Sequence, residues 1–371
     1  MRLHPPPWPS WVNVENTLRC NLDCIWCAQA LVGSTRSGVD MPLPLFHRIA
    51  AEVLPRVSRL SFSVAGEPTI APHFLDFLDV VNELDLTTEL VTNGTALHRP
   101  GLLERLLPRL ALMIVSIDGA RAGTVERIRV GARFERLLAN LGDFDAARRA
   151  KPVTARPELA LAVTLSTANV AELPEVVALA AKVGAARVLG SWLQVLDPSL
   201  LDLSLHHRPM DVARFTGEAR AAARRLGVGL ELPDGPPEAP PEAFARRALG
   251  LVGTRSRRRA ALRGALQRAR VRAWELRSGL EARCSYLWGR AYLHADGHVS
   301  PCCVQGRPYV GDLNDASFAE IWTGPAMTAL RAGMFDGHPH EACTRCSVGQ
   351  GPAAASAETW VSPRRNLRDA G

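Results

Sequence analysis

From Trp11 onward the chain alternates short apolar runs with amphipathic stretches. The run opening "WVNVENTLRC" (11–20) is followed by "RLSFSVAGEP" (59–68), "TTELVTNG" (87–94), "LALMIVSIDG" (110–119), "ELALAVTLST" (158–167) and "ARVLGSWLQVL" (186–196). Each is short and rich in β-branched or aliphatic residues, so each predicts a strand. Residues 74–84, 101–108, 133–149 and 172–183 carry the helical period instead. Strand, helix, strand repeated about six times predicts an α/β fold with a mostly parallel sheet covered by helices. In such sheets the chemistry gathers at the carboxyl ends of the strands. Cys20, Glu67, Asn93, Ser116, Asp118, Ser166, Asn169 and Gln194 fall at or just beyond those ends, as expected of one site lined by many strands.

The alternation stops near residue 230. "LPDGPPEAPPEAF" (232–244) is proline-rich enough to be a linker or exposed loop, and residues 245–283 hold a dozen arginines among Leu, Ala and Val. That stretch reads as a basic amphipathic helix or helix pair, and a solvated helix packed on the main domain is the simpler reading than an anion-binding surface. The expected division is 1–230, a linker and basic insertion over 231–283, a cysteine-rich module over 284–349 and an irregular tail over 350–371.

Composition changes this picture little. With 371 residues, 47% of them hydrophobic, the chain can bury one large core and a small second module. The net charge of +7 comes almost wholly from arginine, since lysine occurs only at 151 and 182. It is a bias of composition more than a nucleic-acid footprint. The N-terminus has no apolar run long enough for a secretory signal, and the aliphatic stretch 173–196 is broken by Lys182 and Arg187. A cytoplasmic protein is expected. There, tightly grouped cysteines are metal ligands or redox groups more often than disulfides.

The eight cysteines form two groups. Cys20, Cys24 and Cys27 have the spacing C-x3-C-x2-C. Three thiolates can hold three corners of a [4Fe-4S] cube and leave the fourth iron open. A buried helical stripe would share the i, i+4, i+7 spacing, but Arg19, Asn21 and Asp23 would be awkward in a core. Zinc with a distant fourth ligand fits less well than the paired C-x2-C arrangements it favours. Cys284, Cys302, Cys303, Cys343 and Cys346 lie in the last quarter. One C-x17-C and one C-x2-C give four thiolates, enough for a second cluster or a structural zinc.

"CNLDCIWC" after a first strand resembles the signature of the radical S-adenosylmethionine (SAM) superfamily, whose fold is a partial (β/α)6 barrel. The resemblance implies that SAM chelates the open iron and that the reduced cluster cleaves it to a 5'-deoxyadenosyl radical. "AGEP" (65–68) resembles the family's GGEP turn, with Ala65 in the first glycine position; Gly66 and Glu67 would contact the SAM amino group. "TNG" (92–94, with Asn93) and "SIDGA" (116–120) resemble family strand ends, where Ser116 and Asp118 would face the SAM ribose or carboxylate. "ERIRVGARFERLLANL" (126–141) resembles the segment that follows, and makes Arg129 a carboxylate partner. "CSYLWGRAYLHADGHVSPCC", "VGDLNDASFAEIWTGPAMTALR" and "CTRC" resemble the SPASM/twitch extension. Five cysteines in place of seven suggest the shorter form, with one auxiliary [4Fe-4S] cluster held by Cys284, Cys302, Cys343 and Cys346. Cys303 is then spare: an alternative ligand to Cys302, a residue near the substrate or, the favoured reading, a small buried hydrophobe.

The function expected from this resemblance is that of a dehydrogenase-type radical SAM oxidoreductase. The leading expectation is oxidation of a sugar- or cyclitol-like small molecule in natural-product biosynthesis, with the auxiliary cluster as electron acceptor and a reductase such as flavodoxin or ferredoxin as electron donor. The alternatives are a peptide-modifying maturase, a redox-neutral epimerase and, remotely, a zinc protein binding nucleic acid. A first cysteine at residue 20 leaves no room for the N-terminal peptide-binding module such maturases commonly carry, which favours the small molecule. No membrane or nucleic-acid partner is expected. No general base is assigned; His206, His207 and Gln194 are polar positions late in the barrel, each more simply structural.

Overall fold

The computed structural model describes residues 8–31, 38–62, 65–233, 284, 286–303, 308–336 and 339–344. The basic insertion beyond 233, Cys346 and the tail lie outside the described residues. Those described fall into two compact units: Ser10 to 233 with Tyr292–His298, and the remainder.

The first unit runs β1 (Trp11–Val14), α1 (Ala28–Leu31), α2 (Leu43–Glu52), β2 (Arg59–Phe62), α3 (Phe74–Asn82), β3 (Thr87–Thr92), α4 (Leu102–Leu106), β4 (Leu110–Ser116), α5 (Ala122–Ile128), α6 (Phe134–Arg149), β5 (Glu158–Leu165), α7 (Leu173–Lys182), β6 (Arg187–Trp192), α8 (Pro209–Leu226) and β7 (Gly229–Glu231). All neighbouring pairs from β1 to β7 are parallel and stand in sequence order. Every crossover therefore steps the same way, which winds the sheet as a barrel does and provides no order-reversing switch point. The expected mixed α/β architecture is present, with a short seventh strand added.

Register sorts the strand side chains into two faces. Phe62, Leu90, Met113 and Leu159 are partners across four adjacent strands, and all are fully buried. This is the helix-covered face: Phe62 meets Phe74 of α3 edge-on at 5.1 Å, and Phe46 of α2 stacks on Phe77 at 3.9 Å. Each such buried ring contributes about 2 kcal/mol of transfer free energy. The opposite row reads Asn13, Ser61, Glu89, Leu112, Glu158. Its charges are paired between strands: Arg59 with Glu89 at 3.5 Å, and Arg187 with Glu158 at 2.8 Å and Glu231 at 3.3 Å. The next inner row toward the carboxyl ends reads Val91, Ile114, Ala160 and Arg187, so the inner face is mixed, with its paired charges near the amino ends of the strands.

Of the strand expected over 59–68, the structure describes Arg59–Phe62 as strand, while Pro68–Ile70 form a 3-10 turn capped by the Glu67 carboxylate. Residues 292–298 belong to this unit although they come late in the chain. Glu15 N donates to Leu293 O at 2.8 Å, and the Glu15 carboxylate meets His294 Nδ1 at 3.2 Å, both side chains being buried.

In the second unit, Ser317 and Glu320 form a capping box that starts the helix Phe318–Thr323, followed by Pro325–Asp336. Trp8 stacks on Phe318 at 5.1 Å. The buried Arg331 donates to Leu287 O and Trp322 O at 2.9 and 2.8 Å, closing the carboxyl ends of two short helices. Its burial lowers its pKa to about 10.

Candidate active site

The segment between β1 and α1 carries Cys20, Cys24 and Cys27, and it is not helical over 20–27. The shared helical face that the spacing could also have meant does not form. Its two ends are anchored by polar groups. Thr17 Oγ1 donates to Asp40 Oδ1 at 2.6 Å and Arg19 Nε to Asp40 Oδ2 at 2.8 Å; further on, Asp23 N donates to Val130 O at 2.9 Å and Ile25 N to Ile128 O at 3.0 Å. All three thiols are half-buried and none is in a disulfide. Burial raises the Cys20 thiol and pushes Cys24 up to about 12, against the pull of Arg129 beside it. Without a cation Cys20 and Cys24 are neutral thiols, not nucleophiles, at neutral pH.

The strand ends converge on this loop. The Glu67 carboxylate is buried and accepts from Thr69 N (3.2 Å), Thr69 Oγ1 and Thr92 Oγ1 (both 2.6 Å) through one oxygen, and from Asn93 N (2.6 Å) through the other. Burial raises its pKa although these bonds oppose the shift. Glu67 thus ties the AGEP turn to the end of β3. Gly66 is left-handed, with φ 69°, and a Cβ there would lie 2.4 Å from Thr17 O and 2.8 Å from Arg19 O. Only glycine lets the turn lie this close to the cysteine loop.

Asn93 points its amide at the same loop, donating to Asn21 Oδ1 at 2.9 Å and reaching Cys20 Sγ at 3.9 Å. Ser116 ends β4, half-exposed. Asp118 has φ 56° and is buried; Thr164 N donates to its Oδ1 at 2.7 Å, and its Oδ2 forms an ion pair with Arg129 Nε at 2.9 Å. Arg129 Nη1 reaches Cys24 Sγ at 3.9 Å. Burial pulls the Arg129 pKa down, but Asp118 and Cys24 more than offset it. Of the six positions expected around a cofactor, Asn93 and Arg129 therefore touch cluster-loop sulfurs, and both Asp118 oxygens are engaged by protein.

Ser166 and Asn169 bond each other, and the Asn169 amide donates to Asp118 O at 3.0 Å. They position Asp118. Gln194 and His207 are exposed and His206 is half-buried. The sequence reading missed Gln29, whose Oε1 accepts from Gly66 N at 2.9 Å, and Glu172, which holds Ala120 N at 2.9 Å and the Thr124 hydroxyl. Gln29 lies two residues past the last cysteine of the loop, which is the one signal that could have found it.

In the second unit, the Tyr286 phenol is raised by burial, with further contributions from Cys303, Cys284 and Cys302, and accepts from Arg290 Nη1 at 3.1 Å. Those three thiols therefore lie within electrostatic reach of one ring. Cys303 is exposed while Cys302 is half-buried. Of the three readings of Cys303, the buried hydrophobe does not hold, since the residue is exposed. Among the described residues, no three His, Cys, Asp or Glu side chains converge on a single-ion position. A cube cluster does not require that, since each thiolate binds a different iron. Donors aimed at Cys20 and Cys24 sulfurs suit thiolates whose negative charge a cluster retains.

A family model described as the radical SAM superfamily matches residues 14–156, and the SPASM model, an iron–sulfur cluster-binding domain, matches 284–347. The "Tungsten-containing aldehyde ferredoxin oxidoreductase cofactor-modifying protein" of Pyrococcus furiosus is 25% identical over 358 residues, covering 91% of this chain and 87% of that protein. A "PqqA peptide cyclase" of Gluconobacter oxydans is 29% identical over 189 residues, covering 49% of each. The fold is shared with Streptococcus suis SuiB, solved bound to its precursor peptide SuiA, with a TM-score of 0.60 at 12% identity over 88% of this chain and 68% of that one.

Proposed function

The chain belongs to the radical SAM superfamily and carries a SPASM domain, and from that premise we propose that it modifies a peptide or a peptide-derived cofactor precursor. Cys20, Cys24 and Cys27 would hold the SAM-binding cluster, with Gly66 and Glu67 at the SAM amino group. Cys284, Cys302, Cys343 and Cys346 would hold the auxiliary cluster. With one electron from an external reductant, the bound cluster and SAM would supply a 5'-deoxyadenosyl radical, with methionine as the leaving group, for hydrogen abstraction from an unactivated C–H bond. The chain's own work is positional. Asn93 orients Cys20 through the Asn21 amide, Gln29 keeps the AGEP turn against the cysteine loop, and Glu67 fixes that turn to β3.

The observation that carries this reading is the pair of relatives named for cofactor modification and peptide cyclisation. They favour the maturase alternative over oxidation of a sugar-like hydroxyl, which the sequence had put first. The test is to incubate the anaerobically reconstituted chain with SAM and dithionite against a panel of short peptides and a panel of aminocyclitols. Peptides should raise 5'-deoxyadenosine formation at least about tenfold over the uncoupled rate and lose hydrogen in the mass spectrum. Stimulation by the cyclitols alone would return the assignment to small-molecule oxidation.

A further inference from the structure

Past α5 the chain doubles back along the cysteine loop. Asp23 N donates to Val130 O at 2.9 Å and Ile25 N to Ile128 O at 3.0 Å, which holds the end of α5 against the cysteine loop and brings Arg129, the residue that caps the helix, beside Cys24. The Arg129 guanidinium is 3.9 Å from Cys24 Sγ on one side and 2.9 Å from Asp118 Oδ2 on the other. Arg129 is 9% exposed and Asp118 1%. Asp118 is fixed in turn by Thr164 N and, through its carbonyl, by the Asn169 amide. A cation held rigidly against one cluster sulfur, with a carboxylate behind it, is more than packing requires, and a buried pair is itself costly to desolvate.

We propose that the Asp118–Arg129 pair sets the reduction potential of the SAM-binding cluster, Arg129 acting as a positioning residue through the Cys24 sulfur and Asp118 moderating its charge. This rests on the assignment of Cys20, Cys24 and Cys27 to that cluster. Reduction adds one electron, supplied by dithionite in the test, and makes or breaks no bond. A fixed positive charge favours the state carrying the extra electron, and the effect is strong where water is excluded.

The experiment is an EPR-monitored redox titration of the full reconstituted chain without SAM, on the signal that disappears in the Cys20→Ala/Cys24→Ala/Cys27→Ala variant. Arg129→Gln should lower the reduced-to-oxidised ratio at fixed potential by about tenfold, a downward shift of about 59 mV for one electron. Asp118→Asn should shift the potential upward. Asparagine keeps the acceptor for Thr164 N and tolerates the left-handed backbone. Arg129→Lys should stay near wild type. Opposite signs from the two members of one pair are what a merely structural role would not give.

Shifts of the same sign, or unchanged potentials with only weaker SAM binding in Arg129→Gln, would overturn the proposal; the second outcome would make Arg129 a SAM ligand. If Arg129→Gln fails to hold its cluster, Asp118→Asn and Arg129→Lys still decide the sign. A signal that survives in the triple cysteine variant would instead overturn the ligand assignment.

Discussion

The thiol of Cys24, pushed up to about 12 by burial, shows how one residue can be unreactive until its cofactor arrives. A raised thiol pKa means the proton is held across the neutral range and leaves only as pH approaches the raised value, or when iron displaces it. In the metal-free chain Cys24 should therefore react with iodoacetamide at pH 8 at least about a hundredfold more slowly than a free cysteine, the rate still climbing above pH 10. Peptide mapping by mass spectrometry reads this directly, and labelling at the free-thiol rate would show that the loop is open in the metal-free state. At this scale, spacing alone marked the three cysteines as one group. It did not mark Asn21, Gln29 or Thr92, because their roles come from contacts with segments brought alongside by the fold. It also misplaced Cys303, since spacing does not say which of two adjacent thiols faces inward.

Among elements, the AGEP turn is the joint on which the site depends. Gly66 lies against the carbonyls of Thr17 and Arg19, and Glu67 reaches across to Thr92 and Asn93. Gly66→Ala adds a Cβ where there is no room and in a left-handed conformation. The expected cost is about 2 kcal/mol or more in denaturant unfolding, with SAM binding weakened at least about tenfold and iron per chain unchanged. A variant that binds SAM like wild type would show that the turn does not shape that site. The strands themselves were legible because their helix-covered faces are largely apolar, as the row through Phe62, Leu90, Met113 and Leu159 shows. Strand ends were less so. The apolar character of "SFSVAGEP" did not show that Gly66 takes a positive φ and that Glu67 caps a 3-10 turn within the stretch expected as strand.

At the scale of the whole molecule, the described cysteines of the two groups belong to two compact units, and two family models match the same two regions. The chain is a radical SAM enzyme whose second unit carries an auxiliary iron–sulfur cluster. Among the described residues no helix is long and apolar enough to cross a membrane. The basic insertion after residue 233, read from sequence as a solvated helix, lies outside the described residues. The measurement that tests the account most directly is iron and acid-labile sulfide per chain after anaerobic reconstitution, for wild type and for the Cys20→Ala/Cys24→Ala/Cys27→Ala variant. About eight irons in wild type and about four in the variant, with SAM cleavage lost, is the expected result. A wild type holding about four irons and a variant holding none would contradict the second cluster, and a variant that kept all its iron would contradict the first.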